Sequence, residues 1–420
     1  MPAHRTVDDI QLGNDDFWIR PLDERDTAFA SLRTESADGD GMCFHEEQTV
    51  IEGGVAGPGF WSAVTYDDVR AINRTPRVFS SAAGITLGEQ APETLEFFGS
   101  MIVMDDPRHA KFRMLVQKGF TPKMVAMVEE SVRTRARALV EAAKEVGGAC
   151  DFVERFAAPL PLQVICDMLG VPPEDEQQIF DWTNMILGAG DPEFTTDLEG
   201  LILAASGMFD YAQALGERRL ADPADDITST LMHAEVDGQR LTPSEFGSFF
   251  ILLAVAGNET TRNAISWGMH QLTHHPDQRR LLQDHYADMA LPAADEIVRW
   301  ASPVIHMRRT ANEDVEVGRT RISAGDKVVM WYWSANRDGA HFADGHLFDI
   351  TRANAKDMAG YGAGGPHFCL GANLARREIQ VMYDEIFREL PDLEITGEPD
   401  RLVSAFINGV KRMPCEFTVR

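Results

Sequence analysis

The sequence predicts a mainly α-helical protein with small peripheral β-sheets. Three observations carry that expectation. Apolar residues recur at three- and four-residue spacing over most of 105–300. Strand-like pieces are short and lie outside this stretch. The turn-rich breaks near 53–59, 169–175, 188–192 and 221–226 join helical patterns without a repeat or a low-complexity linker between them. We therefore expect one domain over 1–420, with a β-containing part over roughly 1–100 and a helical part over roughly 101–420.

The helical periodicity falls at 108–117, 124–144, 161–169, 174–187, 201–220 and 243–274. Strands are expected at 60–65, 315–317, 328–332 and 415–419. The chain carries 39 Lys+Arg against 66 Asp+Glu, a net charge of −27, so nucleic acid is excluded as a partner by repulsion. An apolar content of 44% with 25% charged residues is that of a globular protein. The acidic N-terminus has no targeting pattern. The longest apolar run, 249–257, is about half of what spans a bilayer, so no transmembrane anchor is expected. Five scattered cysteines (43, 150, 166, 369 and 415) form neither a disulfide framework nor a zinc pair, which fits a reducing, cytoplasmic location.

The longest helix opens on Thr242-Pro243-Ser244-Glu245, a capping box with proline at the first helical position. At 1.5 Å per residue its 243–274 span reaches about 48 Å. Its middle, 249–256, is apolar on all sides and should cross the core. The polar cluster Gly257-Asn258-Glu259-Thr260-Thr261-Arg262 follows where more aliphatics are due. One reading is a packing notch; the other is a helix opened beside a site, with an acid and a hydroxyl turned into it.

A second feature is the glycine-rich loop 360–371, which ends His367-Phe368-Cys369-Leu370-Gly371 before a strong helix. Unpaired amides and the positive dipole end there favour a thiolate, the metal-binding form of cysteine. A lone thiolate suits haem iron, whose other ligands come from the porphyrin, better than zinc or an iron–sulfur cluster. Alternatively, Cys369 is a small buried hydrophobe. Glu296 and Arg299 lie three apart on one helical face, able to pair or to lock a neighbouring loop. His109, Arg113, Arg309 and His367 are cationic donors able to hold two haem propionates, or ordinary surface charges.

AGNETT in a long helix, then ExxR, then a glycine loop ending HFCLG resembles the cytochrome P450 family, and the resemblance covers essentially the whole chain. It implies the P450 fold, a helix-rich triangular prism, and heme b (iron protoporphyrin IX) with Cys369 as axial thiolate. It also implies His109, Arg113, Arg309 and His367 as propionate ligands, Glu259 and Thr260 as the acid–alcohol pair that delivers protons, and Glu296–Arg299 as a structural pair. Two departures stand out. Tyr361 lies eight residues before the cysteine rather than seven, one extra loop residue. Leu347 replaces a frequent Arg or His, so the third partner of the Glu296–Arg299 pair is open between His346 and Arg352.

IQLGNDDFW, FFGSMIVMDDPRH, PLPLQVICDMLG and EIVRWASPVIHMRRT look most like the methyl-branched lipid ω-hydroxylases of that family. The resemblance then implies a monooxygenase using O2 and two electrons from a ferredoxin with its ferredoxin reductase. Sterol side-chain hydroxylases and linear-alkane or fatty-acid hydroxylases are the rival readings; a haem-thiolate isomerase or a non-enzymatic haem or lipid carrier belongs to a different class. Candidate pocket residues are Leu95, Phe97, Phe98, Met101, Ala256, Val304, Ile305, Phe406 and Ile407, each of which can equally be plain core. Lys111, Arg376 and Arg377 are candidates for a basic docking patch on an otherwise acidic surface.

Overall fold

The computed structural model describes residues 10–38, 41–46, 57–90, 95, 100–117, 122–188, 191–194, 198–235 and 238–419. The helix Pro243–His274 is its spine. The capping box closes in both directions: Glu245 N–H donates to Thr242 Oγ1 (3.2 Å), and Thr242 N–H donates to Glu245 Oε2 (3.0 Å). Around the spine pack the helices Pro159–Leu169, Leu198–Ala221, Tyr286–Ala301 and Ala372–Glu389. Where the last two cross it, the spine carries Gly268. A Cβ there would stand 2.9 Å from Ile297 Cγ2 and would run into Tyr383 Oη, so only hydrogen lets the helices approach.

The helices at 108–117 and 243–274 have the expected bounds, and the others agree to within a few residues. The strands are less peripheral than the sequence suggests. Lys327–Trp331 is the buried centre of a five-stranded sheet ordered Cys43–His45, Phe60–Ala63, Lys327–Trp331, His306–Ala311, Phe79–Ser80. Phe60–Ala63 runs parallel to the central strand; His306–Ala311 runs antiparallel to it, with Arg309 opposite Val328. The latter strand escapes sequence reading because its buried positions include Arg308 and Arg309, so no apolar alternation marks it. Period two nonetheless operates: Met307 and Arg309 turn to one face, while Arg308 reaches Glu89 at 3.2 Å. Among the described residues no helix is long and apolar enough to cross a membrane.

Candidate active site

A cavity lies between the spine, the strand His306–Ala311 and the loop before Ala372–Glu389. It holds about 1440 Å³ of space between atoms, its open mouth included. The spine presents two stripes to it, Leu252, Ala256, Thr260 and Ala264, and Leu253, Gly257 and Thr261. The i, i+4 spacing explains the polar cluster after 256: the stripe continues, but its side chains become small or hydroxylic where the cavity begins. A Cβ at Gly257 would stand 3.3 Å from Ile165, a tight contact rather than a clash, so the helix is opened beside the site there and the packing notch falls at Gly268.

Cys369 opens on this cavity with Phe368, Leu370 and Gly371. Its backbone N–H donates to Tyr361 O (2.9 Å), closing the loop. The longer turn is accommodated by three successive residues of positive φ: Gly362 at 98°, Ala363 at 44° and Gly364 at 79°. Gly365 then passes against Asn73, whose carbonyl leaves no space for a Cβ. Asn73 Nδ2 fixes the loop by donating to Gly362 O (2.6 Å). The helix itself starts only at Ala372. Burial pushes the Cys369 thiol up, and the Gly371 amide, Arg113 and Arg376 pull it back only in part. A metal bound by Cys369 would favour its thiolate form.

The cationic residues gather on one side. Arg113, Arg309 and His367 line the cavity. His109 does not; it stands behind, its ring 4.2 Å from that of His367. Arg113 Nη2 donates to Phe368 O (2.7 Å), whereas Arg113 Nη1 and His109 Nε2 are buried without a hydrogen-bond partner. Arg309 Nη2 donates to Asn73 Oδ1 (3.2 Å). Burial, reinforced by Arg309, holds His367 down to about 3, and burial also lowers His109, so both rings are neutral while the two guanidiniums supply the charge. Donors left over beside two arginines are what a dianionic edge requires.

Glu259 departs from expectation. It is 1% exposed and off the cavity wall, ion-paired with Arg262 (Nη2 to Oε2, 2.5 Å). The stripe reverses at this residue, so adjacent Glu259 and Thr260 point apart. The carboxyl that does line the cavity is Glu378, with Thr261 beside it. Burial raises Glu378 to about 8, so it is protonated at neutral pH. Sequence reading missed it, although Leu374, Ala375, Glu378 and Ile379 form a helical stripe that could have been extended from the loop. Thr260 Oγ1 donates to Ala256 O (2.8 Å), which leaves its acceptor lone pairs toward the cavity.

Met101, Ala256 and Val304 line the cavity as expected. Ile305 does not: it is fully buried in the sheet-side core with Trp331 and Trp333. Ile407 bridges Val304 from behind, Phe406 packs on His306, and Leu95 lies near Gly84 instead. Phe97 and Phe98 lie outside the described residues. Ile165, Met168 and Phe249 supply apolar wall that the sequence reading left as core.

Behind the loop, Arg299 and Glu296 are both fully buried and form a two-pronged pair at 2.7 Å. The third partner is Arg352, its Nε 3.3 Å from Glu296 Oε2; His346 contributes only its carbonyl, to Trp300. Arg299 also donates to the carbonyls of Asn336, Gly345 and Leu347, so position 347 takes part through its backbone. Of the candidate docking cations, Arg376 is held by Asp295 (2.6 Å) and lies over the Tyr361 ring, and Arg377 is held by Glu129 (2.5 Å); Lys111 is exposed.

A cysteine loop open to the cavity, an opened helix and a cationic edge around that cavity define a haem-thiolate enzyme. The Cytochrome P450 family model matches residues 97–391, and the chain belongs to that family of haem-thiolate monooxygenases. It is 50% identical over 98% of its length to the methyl-branched lipid omega-hydroxylase of Mycobacterium tuberculosis, covering 96% of that protein. It is 43% identical over 87% of its length to the steroid C26-monooxygenase of Rhodococcus jostii, covering 77% of it. Among solved structures, a Mycobacterium marinum cytochrome P450 in complex with pseudoionone superimposes with a TM-score of 0.92 at 36% identity, over 99% of this chain and all of that one. Among the described residues no group of three or more His, Cys, Asp or Glu could hold a metal ion.

Proposed function

We propose that this chain hydroxylates the terminal methyl of methyl-branched lipids, with O2 and two electrons from a ferredoxin and its reductase, as a single domain acting in the cytoplasm. The observation that carries the reading is the 50% identity over nearly the full length to a methyl-branched lipid omega-hydroxylase, against 43% over a shorter span to a steroid C26-monooxygenase. The cavity supports it: away from Cys369 its wall is Met101, Ile102, Ile165, Met168, Leu252 and Leu253. A chain-like apolar substrate is held there by area, at about 25 cal/mol per Å².

In this reading Cys369 would ligate haem iron and Arg113 and Arg309 would pair with the propionates; His367, its Nε2 at 3.2 Å from Ser81 Oγ, would back that edge, with the unpartnered His109 Nε2 behind it. The haem, when bound, supplies dioxygen activation and oxygen insertion into a C–H bond. Thr260, whose own hydroxyl proton goes to Ala256 O, would accept a hydrogen bond from a water in the cavity and so hold that water's second proton ready for delivery. Glu378, protonated beside Thr261, is a second proton source, carried by the helix that follows Cys369. Glu259 holds Arg262 and steadies the spine behind the site. A terminal methyl has a stronger C–H bond than its neighbours, so selectivity rests on positioning one chain end.

The test is a spectral binding screen of the haem-loaded enzyme. It compares a methyl-branched fatty acid, its straight-chain counterpart, an n-alkane and cholest-4-en-3-one, with products identified by mass spectrometry. Tightest binding and ω-hydroxylation of the branched acid is expected; a preference for the sterol or the straight chains refutes the substrate assignment.

A further inference from the structure

We propose that Cys150 and Cys415 form a dithiol site that peroxide-class oxidants close to a disulfide, an oxidative modification separate from the chemistry of Cys369. The two lie in the sheet made by Ala149–Asp151, Pro414–Glu416 and Glu394–Ile395, directly opposite each other in register. Their sulfurs stand 3.6 Å apart. The flanking rungs are Phe152 N–H to Met413 O and Phe417 N–H to Gly148 O, both 2.8 Å. Rungs alternate along an antiparallel pair, so the cysteines occupy a hydrogen-bonded position, where Cα atoms are about 5.5 Å apart. Disulfides take that Cα spacing, but their Cβ atoms stand about 4 Å apart against about 5 Å across such a pair, so closure rotates both side chains and draws the two strands slightly together.

Access to the two sulfurs differs. Cys415 is 1% exposed, whereas Cys150 is half-buried. The hydrogen bond shared with Cys415 Sγ holds the Cys150 thiol below its ordinary range, with help from Arg155 and against burial. Cys150 is therefore the sulfur that meets the oxidant. It attacks the outer oxygen of a hydroperoxide; the O–O bond breaks, sulfur is oxidised to sulfenic acid, and the thiol proton leaves on the alcohol produced. Cys415 then attacks the sulfenic sulfur, and its proton departs with the hydroxyl as water. Two thiols and one hydroperoxide become one disulfide, one alcohol and one water, a two-electron exchange. Contact with a resolving thiol spares Cys150 from irreversible over-oxidation. The bond would tie the last strand to the segment entering Pro159–Leu169, whose Ile165 and Met168 line the cavity.

The experiment treats the haem-loaded enzyme with a small excess of tert-butyl hydroperoxide, alkylates remaining thiols and maps peptides by mass spectrometry. One cross-linked species containing positions 150 and 415, two hydrogens lighter and reversed by dithiothreitol, is expected, with the thermal midpoint raised by about 3 °C. Cys150→Ser should lose the cross-link and the shift. Cys415→Ser should leave a sulfenic acid at Cys150 that dimedone traps. Full alkylation of both thiols after treatment, or recovery of wild-type Cys150 as sulfinic acid, overturns the proposal.

Discussion

At the scale of single residues, the site separates groups that the sequence sets side by side. Thr260 faces the cavity and Glu259 faces Arg262, so their substitutions should differ in kind. Thr260→Ala is expected to leave substrate binding intact but to cut product formed per electron pair several-fold, the surplus appearing as hydrogen peroxide; coupling equal to wild type removes Thr260 from proton handling. Glu378 makes a prediction in pH. Its folded value, about 8, lies above the ordinary carboxylate value of 4.5, so the folded chain binds the extra proton between these limits. Unfolding then releases a proton, and this group's contribution to stability falls as pH rises from about 5 to 8. Glu378→Gln cannot titrate. Its thermal midpoint relative to wild type should climb steadily across that window, and a pH-independent difference would show that Glu378 ionises normally.

At the scale of elements, the spine and the strands Phe60–Ala63, Val315–Val317, Lys327–Trp331 and Pro414–Glu416 were legible, whereas the strand His306–Ala311 was not. The spine's capping box, its stop at His275-Pro276 and its break in polarity at 257 are all local signals, and each has its structural counterpart. The strand His306–Ala311 has no such signal, because Arg308 is buried by Glu89 and Arg309 by the cavity edge, and neither partner is close in sequence. Likewise, no pattern near Glu296 singles out Arg352, which reaches it only because the intervening chain folds back under Arg299. The two spine glycines give a paired prediction. Gly268→Ala drives a methyl into Ile297 and Tyr383 at a helix crossing, and should cost about 1–3 kcal/mol, less whatever helix propensity returns. Gly257→Ala meets only Ile165 at the cavity wall. It should keep or slightly raise the thermal midpoint while weakening the binding of bulky substrates. Equal stability of the two variants would contradict the packing at Gly268.

For the whole molecule, the −27 charge is a statement about partners, and the cavity sharpens it. Electrons must arrive from a protein, and an acidic ferredoxin is repelled by the chain as a whole. Two of the three cations that sequence offers for docking are already committed, Arg376 to Asp295 and Arg377 to Glu129, which leaves Lys111 exposed on the helix Arg108–Gln117. Attraction is thus local and weak, while repulsion is global and strong. The two differ in range, and salt separates them. At about 10 mM ionic strength the Debye length is about 30 Å and the whole acidic surface acts; at about 150 mM it is about 8 Å, and charges in contact dominate. The rate at which an acidic ferredoxin reduces the haem should therefore rise between those two conditions, then fall toward 1 M as contact pairs are screened as well. Lys111→Glu should lower the rate at 150 mM by several-fold, without changing substrate binding. A rate that falls monotonically with salt from 10 mM upward would mean that a basic patch outweighs the global charge, and a rate indifferent to Lys111→Glu would place docking on another face.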